Sequence, residues 1–337
     1  MRHTIHKIAA VLSAVTIFAT VTQAWAKNEK LAQTSFQFLS VVSDARAAAM
    51  GEALTGMQAG SSSLFFNPAG MVDLQGTMEV TASNNRWIAD ITHNAFSLAI
   101  SPAKGNYGVI GFSVQTVNYG EFYGTRVDKT TDLGYTDTGI FGLHALAVGV
   151  GYAKRLTDRF SVGGQVRWVK QDLGESVIPV VASQDSQETV TSKLTPLAFD
   201  FGTQFKTGLK SLVFGMSVRN FSKEIKYVEE GFQLPLVFNL GISMNVLDFI
   251  ESVPLKQTLI VTLDASHYRD HPEQIKVGME YGLLNSLWLR GGYVTSNDES
   301  GFSFGVGVNY SGVGLDYAYT PFGVFDKVQR MTVRFSL

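Results

Sequence analysis

The ten residues Val328-Gln329-Arg330-Met331-Thr332-Val333-Arg334-Phe335-Ser336-Leu337 alternate strictly between two chemistries. Met331, Val333, Phe335 and Leu337 share one face of an extended strand, and Arg330, Thr332, Arg334 and Ser336 share the other. A wall with lipid on one side and a wet lumen on the other needs that pattern. Fourteen such segments recur between residues 76 and 337, most of them near the length that lets a tilted strand cross a bilayer. In 195–206, Leu197, Phe199, Phe201, Thr203 and Phe205 oppose Ala198, Asp200, Gly202, Gln204 and Lys206. In 273–282, Ile275, Val277, Met279 and Tyr281 oppose Lys276, Gly278, Glu280 and Gly282. The period is two, not the 3.6 of a helix.

Connection lengths sort by parity. The links 101–105, 156–158, 207–209, 283–285 and Ser311 are short, whereas 121–139, 172–194 and 222–235 are long. Outer-membrane barrels have short periplasmic turns and long outer loops, and an even strand count predicts both termini in the periplasm. The expectation is an all-β transmembrane outer-membrane barrel of about fourteen antiparallel strands over 76–337.

The first 26 residues read as a secretory signal. Arg2 and Lys7 precede the apolar run Ile8 to Val21, and Ala24-Trp25-Ala26 fits a small-x-small cleavage site. The chain has no cysteine, which excludes disulfides, thiolate metal sites and lipid attachment through sulfur. A net charge of -2 and 17% charged residues give no basic field, so nucleic acid is not an expected partner.

Eight charges fall on the face opposite the lipid: Arg167, Asp200, Arg219, Asp264, Glu280, Arg290, Asp316 and Arg334. Four of each sign suit mutual pairing across a lumen, either as structural filling or as a substrate path. Trp87, Tyr152, Trp168, Tyr281, Trp288, Tyr317 and Tyr319 lie near strand ends, where interfacial girdles form.

Residues 27–75 differ in pattern. Ser43 or Asp44 can cap a short helix through Arg46, Ala47, Ala48, Met50, Ala53 and Leu54, which Gly51, Gly56 and Gly60 interrupt. Leu64-Phe65-Phe66-Asn67-Pro68-Ala69-Gly70 follows, with Pro68 removing a donor and Asn67 free to satisfy a neighbouring backbone group. Phe36, Phe38, Leu39, Leu64, Phe65 and Phe66 are too apolar for a solvated tail, so the segment reads as a lumenal plug.

Three ordered stretches resemble the PorV/PorQ family, a branch related to the fatty-acid transporter FadL. They are Phe38-Leu39 with Asp44 to Gly51 and Asn67-Pro68-Ala69-Gly70; Val218-Arg219-Asn220 with Leu234-Pro235-Leu236 and Leu240-Gly241; and Leu315 to Gly323. The resemblance implies a fourteen-stranded barrel with a folded-in N-terminal plug, in which Asn67, Pro68 and Ala69 carry the plug motif. Glu52 stands where relatives often carry a second glycine. It implies one of two jobs. A PorV-like partner of type IX secretion binds cargo proteins for surface attachment, which is the favoured reading. A FadL-like channel takes up long-chain fatty acids or other hydrophobic small molecules.

No cofactor and no enzymatic activity are expected. Gly301-Phe302-Ser303-Phe304-Gly305 matches the nucleophile-elbow string but sits in an alternating strand rather than a strand-to-helix turn. His267 and His271 are four apart in a stretch that reads as loop, so they carry no helical metal pair. The long loops are the candidate partner or ligand surfaces. Phe122, Tyr123 and Tyr135 occupy one, and Phe221, Tyr227 and Phe232 another. Such aromatics either anchor a partner, gather an apolar ligand, or pack together as a lid.

Overall fold

Alternation along each strand becomes a closed wall once the first and last strands pair. The computed structural model describes residues 34–74, 76–128, 130–179, 187–226, 231–250, 256–296, 301–325 and 327–337. The expected signal segment lies outside them. Fourteen antiparallel strands form the wall: β1 Met78–Arg86, β2 Thr92–Ile100, β3 Val109–Val127, β4 Tyr135–Arg155, β5 Phe160–Pro179, β6 Leu197–Lys206 and β7 Val213–Phe221. They continue as β8 Val237–Asn245, β9 Gln257–Tyr268, β10 Gln274–Leu283, β11 Leu287–Val294, β12 Phe302–Tyr310, β13 Val313–Pro321 and β14 Lys327–Ser336. Each pairs with its sequence neighbour, and β1 closes on β14 from Glu79↔Ser336 to Arg86↔Gln329. Closure leaves no edge for lipid to meet, which a membrane wall requires.

Burial follows parity. On β12, Phe302, Phe304, Val306, Val308 and Tyr310 point outward and are exposed, while Ser303 is buried. On β10, Met279 is 50% exposed and its neighbour Glu280 only 2%. Trp168, Tyr152, Tyr317 and Tyr319 lie on the outer face as a girdle would. Trp87 and Trp288 do not. Trp87 packs on Phe322 and beneath the Arg330 guanidinium, and Trp288 lines an internal cavity with Arg290. An indole with a charged neighbour inside gains more there than at the lipid boundary.

Two expectations need correction. The stretch 121–139 is not a free loop, because β3 and β4 run on as one hairpin to Val127↔Tyr135, past a register shift at Asn118/Glu121. Cross-strand pairs such as Phe122↔Phe141 keep the backbone bonded beyond the bilayer. The outer part of β5 pairs with a separate strand, Gln187–Leu194, so 172–179 and 187–194 do extend the strands, as the apolar run Val177-Ile178-Pro179-Val180-Val181 leads one to expect. Nor do both described ends lie together. Leu337 sits at the turn end, but Thr34 bridges to Gln233 at the loop end. The described N-terminal segment runs through the lumen from Thr34 at the loop end to Asp73 at the turn end, and the residues before 34 lie outside the described ones.

Within the barrel the segment is mostly irregular. Its one α-helix, α1, covers only Ala45–Ala49, and Asp44 caps it by accepting from the Ala47 amide at 2.9 Å. Ser43 is not the cap. Three 3₁₀ turns, Gln37–Ser40, Gly60–Phe65 and Pro68–Asp73, complete the plug. Alanines let α1 lie directly on β11–β14, and its first amide donates to Thr332 Oγ1 at 2.8 Å.

Candidate functional site

The inward charges meet partners on nearby strands and on the plug rather than across the barrel. Arg167 Nε lies 2.8 Å from Asp200 Oδ2 on the neighbouring strand, and Asn220 donates its amide to Asp200 at 2.7 Å. A second chain of pairs links plug and wall. Glu280 takes Arg46 of α1 through both oxygens at 2.7 and 2.8 Å and Arg290 Nε at 2.6 Å. Arg290 then reaches Asp316 at 2.6 Å, and Arg334 reaches Asp316 at 3.5 Å. Arg219 and Asp264 have no ion pair among the described residues. Arg219 donates to the Leu39 carbonyl at 3.4 Å and stands over the Phe66 ring, and Asp264 accepts from the Thr55 amide at 2.9 Å. Pairing across a lumen fails for a simple reason: the plug occupies the space between the walls.

Three buried groups were missed by the charge reading. Lys276 Nζ meets Glu52 Oε2 and the Tyr268 hydroxyl, each at 2.8 Å. Glu52 adopts φ 63°, the left-handed region in which a glycine is unstrained and a side chain costs about 1–2 kcal/mol. A glutamate at this left-handed position is thus tied to the lysine it meets. Arg330 donates to the Val42 carbonyl and to Thr320 Oγ1, both at 2.8 Å. Parity already put Lys276 and Arg330 on the inward face; only that signal was available.

The Asn67-Pro68-Ala69-Gly70 motif fastens the plug to the wall. Asn67 Oδ1 caps the turn Pro68–Asp73 by accepting from the Ala69 amide at 3.2 Å. Its Nδ2 bridges the carbonyls of Thr55 in the plug and Thr203 on β6, at 2.8 and 3.0 Å. Pro68 takes the first position of the turn, where a missing N–H costs nothing. The wall opposite is bare: a Cβ on Gly202 would overlap Asn67 Oδ1, and one on Gly163 would press on Pro68 and Ala69. Gly70 itself packs against Ser63. At the turn end Asp73 pairs with Arg155 and, at 2.8 Å, with Lys206.

The mouth is different in kind. Phe36, Phe38 and Leu39 are fully buried among Val117, Ala145, Ala147, Val169, Ala198 and Leu234. Asp270 accepts from Thr34 Oγ1, from Gln37 Nε2 at 2.6 Å and from His271 Nδ1 at 2.8 Å. Burial pushes the Asp270 carboxyl up, but the bonds from His271, Thr34 and Gln37 outweigh it and hold it below the usual carboxylate range. The Asp270 hydrogen bond raises the His271 pKa, against partial burial.

Above the chamber, Phe122 stacks on Phe141 at 5.8 Å, and Tyr123 and Tyr135 are exposed on the protruding hairpin. Phe232 packs partly against the mouth cluster. Phe221 is a correction: it ends β7, exposed and paired with Phe199, instead of sitting in a loop lid. Tyr227 lies outside the described residues.

Two cavities lined by charged and apolar side chains lie between plug and wall among the described residues. One of about 20 Å³, room for a water or two, lies between Glu52, Arg219, Tyr268 and Lys276. The other, about 110 Å³, lies toward the turn end between Arg46, Trp288, Arg290 and Arg334. Neither is an apolar ligand pocket; the apolar chamber is filled by the chain's own phenylalanines. Ser303 is buried on β12 and accepts from the Gly51 amide, so the elbow string is a structural contact. His267 and His271 face different carboxylates, Glu273 and Asp270. Among the described residues no three metal-ligating side chains cluster.

No protein-family model matches this chain, and no curated protein matches it in sequence. Solved structures do match in shape. The Ralstonia pickettii toluene transporter TbuX superposes with a TM-score of 0.57 at 12% identity, over 87% of this chain and 98% of that one. The Pseudomonas putida toluene transporter TodX gives 0.57 at 13%, over 86% and 95%. A Pseudomonas aeruginosa FadL homologue gives 0.51 at 11%, over 88% and 99%. At this identity the likeness shows the fold alone, a fourteen-stranded antiparallel barrel.

Proposed function

We propose that the chain is an outer-membrane conduit for hydrophobic small molecules, closed by its own N-terminal segment. One observation carries the reading. The mouth holds an apolar chamber whose contents, Phe36, Phe38 and Leu39, are the chemical stand-ins for an apolar ligand. Structures of the same fold are named as toluene transporters and a monoaromatic hydrocarbon channel, which supports the reading over an enzymatic one. Export by residues 1–26, a plug over 27–75 and a barrel over 76–337 complete it; Glu280, Arg219, Asp264 and the Asn67 motif are assigned to holding the plug, and the other five inward charges to pairs along the wall.

The test is uptake in cells lacking other such channels, with labelled toluene and a labelled long-chain fatty acid. The native chain should raise uptake of at least one, and F36A/F38A should raise it further by emptying the chamber. Uptake equal to empty vector for both compounds would remove the proposal. The PorV-like reading stands second, on the exposed Tyr123, Val127 and Leu133 of the outer hairpin. It gains nothing from the structural likenesses. Deleting Ser222 to Gln233 should abolish cargo display if that reading holds, with barrel insertion intact.

A further inference from the structure

Charge is sorted along the barrel axis on the side of the wall formed by β2–β8. The turn-end segments 101–108, 154–159 and 206–212 carry Lys104, Lys154, Arg155, Arg159, Lys206 and Lys210 against Asp158 alone. The loop-end segments 119–139, 172–196 and 222–236 hold eleven acidic and five basic residues. In a chain of net charge -2 this is a polarised distribution, not a basic protein.

The turn-end cations divide by role. Arg155 and Lys206 point inward and close on Asp73. Lys154, Arg159 and Lys210 are exposed and have no ion pair among the described residues. They lie on two adjacent turns, Lys154 and Arg159 at β4–β5 and Lys210 at β6–β7, since β4, β5, β6 and β7 are consecutive neighbours in the wall. Arg159 is held in place: its carbonyl accepts from the Lys206 amide at 2.7 Å, and its guanidinium lies over Gly208 of the next turn. The outer wall beside them is apolar, with Tyr152, Leu156, Phe205 and Leu209 exposed. Cations over an apolar wall match a phospholipid, whose acyl chains take the wall and whose phosphate takes the charge.

We propose that the turn end of β4–β7 is a binding surface for anionic phospholipid headgroups, with Lys154, Arg159 and Lys210 as its phosphate contacts. Charge complementarity selects this occupant, and the apolar residues alongside place it in a leaflet. The proposal is independent of what the barrel carries.

Electron spin resonance with spin-labelled phosphatidylglycerol and phosphatidylcholine, on the full barrel in bilayers, reads the preference directly. Near an anionic surface each cation is worth about a fivefold gain at low salt, so phosphatidylglycerol should be preferred by ~5-fold or more at this surface. K154Q/R159Q/K210Q should bring the ratio near one, and 0.5 M salt should lower it in the native barrel. K223Q/K226Q, at the opposite end, should leave it unchanged. These neutral substitutions avoid charge reversal, and an unchanged shift on heating in gel electrophoresis shows that each variant is folded. Retained preference in the folded triple variant overturns the proposal, as does an equal loss in K223Q/K226Q. Full competition by free glycerol phosphate would overturn the lipid as the source.

Discussion

Replacing Glu280 by glutamine should free the plug without opening the wall. Glu280 is 2% exposed and holds Arg46 through both carboxylate oxygens and Arg290 through one, at 2.6–2.8 Å. A neutral amide of the same size keeps one acceptor oxygen but removes the charge, leaving the largely buried Arg46 guanidinium without its paired anion beside the Gln58 carbonyl at 3.3 Å. Breaking a buried pair in this way costs about 3–5 kcal/mol. Arg290 keeps Asp316, which places the loss near the lower bound, about 3 kcal/mol. At about 1.4 kcal/mol per decade, plug detachment becomes roughly a hundredfold more frequent. Hydrogen exchange read by mass spectrometry should then speed up about that much at Ala48 and Met50, whose amides bond within the capped helix, while strand amides stay protected. Arg334→Gln is the control. Arg334 is partly exposed and sits at 3.5 Å from Asp316, so its loss should cost under about 1 kcal/mol and change exchange less than about fivefold. Removing both charges, as R46M/E280L, should recover most of the protection because no unpaired cation remains on the plug. Exchange in E280Q within fivefold of native, or equal to that in R334Q, would refute the account.

Three further outcomes follow from the same geometry. Asn67→Ala loses the cap and both carbonyl bridges, and should loosen 63–74 by about 1–3 kcal/mol, visible as faster cleavage of the plug by added protease. Gly202→Ala should loosen the same segment through overlap with Asn67 Oδ1, and N67A/G202A should be no worse than N67A alone, since the clashing atom is gone. His271 should titrate by NMR above the ordinary 6.5. Its pair with Asp270 then stabilises the mouth fully below about pH 6.5, and the contribution fades as pH rises through the folded value. Asp270→Asn should return His271 toward 6.5; an unshifted His271 in the native protein sinks this assignment.

The wall was legible because its cause is local. Every second residue meets lipid, so the strand count, the inward side of each charge and the parity of connections could all be read from neighbouring residues. The plug was not, because its contacts lie far apart in sequence. Arg46 meets Glu280, 234 residues away, and Thr34 meets Asp270, 236 away. Parity predicted that Lys276 faces inward but could not predict its partner, Glu52, on an irregular loop. The helix came out at five residues because Gly51 and Glu52 turn the chain left-handed, a break the glycines announced only in part. The aromatic stretch of 119–139 misled for another reason: residues chosen for exposed strand edges have the same composition as residues chosen for a loop.

Side chains inside the barrel are layered, and the layering sets which part of the plug can yield. From Asp44 to Asp73 the plug is tied by ion pairs and by bonds to buried carboxylates: Arg46 to Glu280, Glu52 to Lys276, Thr55 to Asp264, Asp73 to Lys206. Displacing the Arg46–Glu280 pair strands a buried charge at about 3–5 kcal/mol, and the pairs of partly exposed Glu52 and Lys206 add less. From Phe36 to Leu39 the holding force is mainly apolar contact, with polar ties from Arg219 to the Leu39 carbonyl at 3.4 Å and from Thr34 and Gln37 to Asp270, and no ion pair to this part of the plug among the described residues. An apolar molecule entering the chamber replaces the contacts that the phenylalanines give up, so that exchange is close to balanced, whereas a polar molecule replaces none of them. On the proposed reading the mouth therefore opens to hydrophobic compounds while the ion-paired part of the plug stays seated. Selectivity is then a property of which layer moves, not of a pocket waiting to be filled.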